Sequence, residues 1–441
     1  MPQRIAVIGA GIAGLSCATD LKKAGFDVVV FEKNAYVGGR MSSRSKDGFI
    51  FDLGADHLCD LYDGIKAACK EFNIGWEKMR FLKYGIVKAG KVIEPDDAIG
   101  RLSKLRLAAQ MALMRDVGDF LWMDDLAIHD HANAYDYMRV RTGRDVSEYF
   151  VDAFSTTYQF HRAREISLGA LLGIMQSIQK DETRWHLHRT RGGMQALPNA
   201  MAARLPDVRL NAAISAITGA HSTGSGQGEK VLVSVNDAKE SFDAVVVAAP
   251  APAIAAMYTN PTKEQHQILS GAKFASTISV SFRVRRALLP DTAVVWVPYV
   301  ESKKICGYVN EAMKGDDAVK EGDTLLNVWL HEEFARQIMD KSDAEIFAAV
   351  KAALLPVCPW VSAPSDLRDH DLERWPLAMP KFAHGHLRAV KTFMANGQGG
   401  QNVFFAGDWL NSPWIEGAFR CGKRVAAQVS ARLLEAPRQP S

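Results

Sequence analysis

The chain opens on four consecutive apolar residues, Ile5-Ala6-Val7-Ile8, and the run stops at a glycine. A short apolar run bounded by a turn signal predicts a buried parallel strand. Residues 9–14 form a tight glycine loop, a helical pattern follows to about Lys23, and Gly25 ends it. Residues 28–31 give a second strand that closes at Glu32, completing one β–α–β unit of ordinary scale. Further on, residues 101–126 carry Leu102, Leu105, Leu107, Ala109, Met111, Met114, Phe120 and Leu121 at helical spacing, and residues 150–177 behave alike. Residues 208–217, 231–248, 275–284 and 293–310 predict strands. Another glycine-bearing strand comes at 403–407, and a last helix starts near Glu416. Residues 221–228 (HSTGSGQG) read as a surface hairpin loop, and no internal repeat is visible.

Composition narrows the classes. The 441 residues are 48% hydrophobic and 23% charged, enough apolar material for two domains. Lys and Arg number 53 against 50 Asp and Glu, a net charge of +3, which is too balanced to argue for nucleic acid. The six cysteines form no CxxC pair, so neither a disulfide framework nor a metal site is expected, and a reducing compartment is the default. The first residues lack the pattern of a signal peptide. No stretch of about 18 uncharged apolar residues exists to cross a bilayer. The expected location is cytoplasmic, with membrane contact at most peripheral. The oligomeric state stays open.

The glycine loop reads Gly9-x-Gly11-x-x-Gly14 between strand and helix, with Glu32 eighteen residues beyond. Gly9 permits the turn, Gly11 lets backbone approach a pyrophosphate, and Gly14 lets helix and strand pack closely. The helix start offers N–H donors to phosphate. Glu32 suits ribose hydroxyls and repels a 2′-phosphate, which disfavours NADP. Six residues later stands Gly38-Gly39-Arg40, and the glycine pair is not something a nicotinamide dehydrogenase needs.

At that point the chain resembles the superfamily of flavin-containing amine oxidases, protoporphyrinogen oxidases and phytoene desaturases. The shared features are Gly9 to Leu15, Glu32, and Val37-Gly38-Gly39-Arg40-Met41. They continue with Phe51-Asp52-Leu53-Gly54-Ala55 and with the turn Arg191-Gly192-Gly193-Met194 leading to Leu197-Pro198. They end on Phe405-Ala406-Gly407-Asp408-Trp409, Trp414-Ile415-Glu416-Gly417-Ala418 and Gly422. The resemblance implies non-covalently bound FAD, a Rossmann-type FAD-binding domain and an inserted α+β substrate domain. The fold class is α/β. Residues 1–80, 190–255 and 390–441 would build the first domain, and 81–189 with 256–389 the second. The implied cofactor contacts are Gly9, Gly11, Ile12, Ala13, Gly14, Glu32, Lys33, Gly38, Gly39, Arg40, Met41, Gly54, Ala55, Ile214, Gly407, Asp408, Trp414, Ile415 and Ala418.

Arg40 would meet phosphate, Asp408 a ribityl hydroxyl, and the helix start at 416–418 the pyrimidine edge of the flavin. Gly54-Ala55 would pass near the flavin ring. His57 either faces the flavin or is satisfied at a strand end. Trp414 is either one wall of an aromatic cage or ordinary packing. Tyr308, Trp329, Trp375 and Phe382 are further pocket candidates.

The branch of the superfamily is not fixed. Many amine oxidases carry a lysine on a strand whose equivalent here is 276–282, and that strand has none, with Ile278 aligned near the position. A covalent attachment would need a cysteine where His384 stands, nine residues past Trp375. The stretch from Arg374 to His386 is similar to protoporphyrinogen oxidases and related desaturases, whereas residues 38–44 and 407–410 resemble the renalase-like branch. The expected function is FAD-dependent removal of hydride from a C–H or C–N bond of a small, apolar organic substrate. Oxygen or a quinone-like acceptor would reoxidise the flavin. An amine oxidase lacking the lysine, a non-redox isomerase and a non-catalytic FAD protein stay open. The stretch 101–123 reads as a solvated helix face over a core stripe, or as an amphipathic surface that touches a membrane.

Overall fold

The computed structural model describes residues 2–80, 83–113, 121–180, 186–220, 230–236 and 238–434. Met114, Phe120 and the loop 221–228 lie outside the described residues. Strand β1 (Arg4–Ile8), helix α1 (Ile12–Lys23) and strand β2 (Asp27–Phe31) form the opening unit. A five-stranded parallel sheet runs in the order Asp207–Arg209, β2, β1, Ala244–Val247, Val403–Phe405. Apart from the half-buried edge strand Asp207–Arg209, its strands are buried on both faces, which is why they read as apolar runs.

The last helix, Ile415–Leu434, crosses α1 at very close range. A Cβ on Gly422 would lie 2.1 Å from both the Ala13 carbonyl and Ser16 Oγ, so only glycine fits that crossing. Ser16 also donates to the Phe419 carbonyl at 2.9 Å. Ends of the chain more than 400 residues apart are thereby fixed to each other.

A seven-stranded mixed sheet makes the second layer. Its order is Arg368–Lys381, Lys273–Arg285, Asp323–Leu330, Ile305–Asn310, Val294–Trp296, Tyr84–Lys88, Lys91–Ile93. Its period-2 pattern splits two environments. Ile278, Val280, Phe282 and Val284 enter a core covered by helices Glu332–Ile338 and Asp343–Leu354. Thr277, Ser279 and Ser281 take the other face. Ile278 therefore points away from the face that carries Trp329, and the strand offers hydroxyls there instead.

Several expected elements differ in extent. Helix α3 is described over Arg101–Leu113, and a 3-10 helix spans Met123–His129. The 150–177 pattern breaks at Phe160, which sits at φ +65°, and helix resumes at Leu168–Lys180. Residues 231–248 form three strands, and only Ala244–Val247 joins the parallel sheet. The other two pair with Ile214–Thr218 in a separate antiparallel sheet.

Candidate functional site

The glycine loop and the glycine pair touch through backbone. Gly38 N donates to the Ala10 carbonyl at 2.8 Å, and Gly11 and Gly38 form an isolated bridge. A Cβ on Gly14 would meet the Gly9 carbonyl at 1.9 Å, so glycine is obligatory where the helix approaches the strand. The first helical bond of α1 runs from Leu15 N to Gly11 O. The amides of Ile12, Ala13 and Gly14 thus start a helix without intrahelical acceptors, the arrangement that suits an anion. Glu32 is buried at the end of β2, and its carboxylate accepts from the amides of Ala10 and Asn34, each at 2.9 Å. Lys33 beside it is exposed, and Met41 is buried with its amide on the Gly38 carbonyl. Ile214 opens the strand Ile214–Thr218, just past the turn where the Ala212 amide bonds the Glu32 carbonyl.

Arg40 lies across the middle of this surface. Its guanidinium pairs with Asp408 and donates to the Ala378 carbonyl at 2.7 Å. Gly54 and Ala55 pass directly beneath, the Ala55 amide bonding the Arg40 carbonyl at 2.8 Å. A Cβ on Gly54 would strike that same carbonyl at 2.5 Å. The first turn of the last helix holds Ile415 and Ala418, and Trp414, half-buried, precedes it. Glu416 is fully buried and accepts from the amides of Gly64 and Ile65, each at 2.8 Å, at the start of helix α2 (Asp63–Glu71). A structural carboxylate thus occupies the free amides at the start of α2 and ties it to the last helix.

His57 stands where this surface meets the mixed sheet. Its ring lies edge-on to Tyr158 at 6.0 Å and tilted to Trp329 at 6.4 Å, and its Nδ1 has no partner among the described residues. Burial lowers its pKa, and the Asp56 charge offsets this in part. Tyr158 continues into an aromatic cluster with Phe154 at 4.8 Å and Trp296 at 6.2 Å, and it accepts from Trp296 Nε1 at 3.2 Å. Tyr84 packs against Trp296. Gly307 opens room beside the cluster, since a Cβ there would press on Thr157.

Of the pocket candidates, Trp329 joins this cluster. Trp375 donates from Nε1 to the Leu53 carbonyl at 2.8 Å, next to Gly54. Tyr308 does not join. A register shift between Ile305 and Gly307 turns its side chain into the helix-covered core, where its hydroxyl donates to the Val357 carbonyl at 3.0 Å. Phe382 is buried against His386 and does not join either. Phe154, Tyr158 and Tyr84 carried no local sequence signal, because aromatics at irregular spacing read as core.

The strongest feature missed in the sequence is a buried charge cluster behind His57. Lys314 pairs with Asp52 at 2.8 Å, with Glu311 at 2.7 Å and with Asp56. Asp52 also accepts from Ser43 Oγ and the Met194 amide, tying in the Gly192-Gly193 turn. Asp52, Asp56 and Glu311 stand close enough to hold a cation, and the Lys314 ammonium supplies it. Burial, then the charge of Asp56, push the Glu311 carboxyl well above the usual range. That direction favours a neutral Glu311, and a proton there would serve Asp56 Oδ2 and Glu311 Oε1, two buried oxygens that have no donor among the described residues. Burial alone would lower Lys314, but its three acids hold it well above the usual lysine range. A crevice of about 120 Å³ is lined by Asp52, Glu311 and Lys314 together with Arg189 and Asp317. A larger groove of about 490 Å³ between α1, α2 and the last helix includes none of the glycine-motif residues that line the strip.

A strip of close-approach glycines and open helix starts thus runs from Gly11 past Arg40 to the last helix. At its far end stand the packed rings of His57, Tyr158, Trp296 and Trp329. The sequence pattern of the family described as "flavin containing amine oxidoreductase" matches residues 12–430. A 4,4′-diapophytoene desaturase (4,4′-diaponeurosporene-forming) of Staphylococcus aureus strain Newman is 42% identical over 83 residues, 18% of this chain and 16% of that protein's length. A putrescine oxidase solved with putrescine bound superposes with a TM-score of 0.78 at 18% identity, covering 98% of this chain and 100% of the other. A CLA-producing fatty acid isomerase from P. acnes gives 0.73 at 17% identity, covering 97% and 98%.

Proposed function

The chain belongs to the flavin containing amine oxidoreductase family, and from that premise we propose a reaction on an apolar organic substrate held among His57, Tyr158, Trp296 and Trp329. The protein is an FAD-dependent oxidoreductase. When bound, FAD supplies the two-electron acceptor for a hydride. In our reading, segments 1–80, 190–255 and 390–441 hold FAD without a covalent bond, and segments 81–189 and 256–389 bind the substrate.

The single observation that carries this reading is the aromatic cluster around Tyr158. Its members are apolar or weakly polar, and the face of the Lys273–Arg285 strand that meets it carries Thr277 and Ser279 rather than a lysine. Such groups exclude water and orient a flat or extended hydrocarbon part. The substrate loses a hydride and a proton. His57, kept neutral by burial, can take that proton on its open nitrogen and release it toward solvent. Arg40 and the starts of α1 and the last helix hold the cofactor's negative charge. Reoxidation falls to oxygen or a quinone-like acceptor.

The test is anaerobic mixing of the yellow protein with amines, porphyrinogens and polyenes while following the visible flavin absorbance. Bleaching by an apolar C–H donor is expected. Bleaching by amines alone, with peroxide formed in air, would replace this reading with amine oxidation. Product formed without bleaching would make the protein an isomerase.

A further inference from the structure

Helix α3 has two apolar faces. Ser103, Leu107, Gln110 and Met111 turn inward, and Ser103 is anchored by Asp145 at 2.7 Å. Asp145 also accepts from the Gly100 amide at the helix start. The outward stripe holds Leu102, Leu105, Ala108, Ala109, Ala112 and Leu113, which at 100° per residue span about 140° of the helix surface. Leu105 is 69% exposed and Leu113 83%. The outward face is exposed as expected of a solvated face over a core stripe, but it carries apolar residues where such a helix ordinarily puts polar ones.

Charge decides what covers the stripe. Arg106 stands at one edge and Arg101 at its start, Lys104 at the other edge is paired with Asp96, and the helix itself carries no acidic residue. Helix α4 (Ala134–Thr142) packs beside α3 and adds Val140, 83% exposed between the exposed Arg139 and Arg141. An apolar stripe with basic shoulders matches an anionic lipid surface, where leucines enter the acyl boundary and guanidinium groups meet phosphate. A twofold contact would bring two stripes of the same charge together, each carrying Arg101 and Arg106 and no acidic residue of its own helix, which disfavours self-association.

We propose that the outward face of α3, extended by Val140, docks this protein in the plane of an anionic membrane. No helix among the described residues is long and apolar enough to cross one. Helix α4 also packs against the 147–152 turn, which runs directly into the helix Ala153–Gln159 carrying Phe154 and Tyr158. The docked face is thus part of the layer that packs behind the aromatic cluster. The docking itself does not depend on the substrate proposed above.

The experiment is flotation of the full-length holoprotein with phosphatidylcholine vesicles, with or without phosphatidylglycerol. Binding to the anionic vesicles is expected, weakening as salt rises. The double variant Leu105→Glu, Leu113→Glu should lower partitioning by tenfold or more, because burying one leucine is worth about one decade of binding. Arg101→Gln with Arg106→Gln should weaken binding and flatten its salt dependence. Both substituted pairs are exposed, so flavin content and melting midpoint should stay at the wild-type values. The proposal fails if the wild type ignores anionic vesicles at low salt, or if the glutamate variant binds them equally well. It also fails if the wild type is a dimer that the glutamate variant dissolves while neither binds vesicles.

Discussion

Arg40 and Asp408, 368 positions apart in the sequence, meet in a two-pronged ion pair, with Nη1 2.6 Å from Oδ2 and Nη2 2.8 Å from Oδ1. Asp408 is nearly buried and Arg40 is its main cationic partner. The pair therefore sets the charge of the strip where a pyrophosphate is proposed to lie. Without Arg40 that strip holds a bare carboxylate facing phosphate. Arg40→Gln should weaken FAD binding by roughly two decades, the scale of a lost charge-assisted bidentate contact. Titration of apoprotein with FAD by flavin fluorescence gives the number, and an unchanged Kd would remove Arg40 from the cofactor's partners.

Two glycines separate folding from cofactor binding. A Cβ on Gly11 meets nothing within 4 Å, and Gly11 has ordinary extended angles, φ −71° and ψ 172°. Gly11→Ala should leave the apoprotein's melting midpoint where it is, yet depress FAD affinity, because the methyl points where backbone must approach the pyrophosphate. Gly422→Ala should do the reverse. Its methyl collides with the Ala13 carbonyl and Ser16 Oγ, so the melting midpoint should drop by several degrees. A Gly11→Ala protein that binds FAD at wild-type strength would overturn the assignment of the first loop.

The difference between those glycines also shows what the sequence made legible. Residues 5–32 state their geometry locally, because strand, turn and helix each follow from short-range chemistry. The same holds for Ala406 to Ala418. The mixed sheet was harder. Its longest strand, Arg368–Lys381, carries six charged residues and Pro376, and it lies at the sheet edge where such residues are tolerated. Tyr308 looked like a pocket residue until a bulge at its strand turned it around. Lys314 gave no signal at all. It is one lysine among many, and its partners Asp52 and Asp56 lie more than 250 positions away.

Two buried histidines should make the protein labile in acid. Burial, with the Lys381 charge adding to it against a smaller opposing effect of Glu165, holds His161 near a pKa of about 4. Burial and Arg162 hold His331 near about 3. Both stay neutral in the native state while the unfolded chain takes up protons below its ordinary value of 6.5. Their stabilising contribution is thus complete above pH 6.5 and is lost as pH falls toward those folded values. At pH 5 each costs about 2 kcal/mol relative to pH 7. Glu311 and Asp152, whose folded values are raised, act in the opposite sense, so the readout is a difference. Denaturant unfolding of His331→Gln and of wild type at pH 7 and 5 should show the variant losing less stability on acidification. Equal losses would mean that His331 is not held neutral.

The Lys314 cluster yields the sharpest test, because one member is argued to be uncharged. Lys314 compensates Asp52 and Asp56 at a buried site. Lys314→Met leaves two carboxylates buried without a counter-ion and should destabilise the protein by about 3–5 kcal/mol at neutral pH. Acidification should recover part of that loss by protonating the orphaned acids. Glu311→Gln keeps the shape and replaces a protonated carboxyl with a neutral amide that still donates to Asp56. It should cost no more than about 1 kcal/mol at pH 7. Were Glu311 ionised instead, the cluster would hold three carboxylates against one ammonium, and Glu311→Gln would stabilise the fold markedly by relieving repulsion. Paired denaturant melts of wild type, Lys314→Met and Glu311→Gln decide between these outcomes. A near-neutral Glu311→Gln beside a costly Lys314→Met places the proton on Glu311, one residue removed from His57 through Asp56.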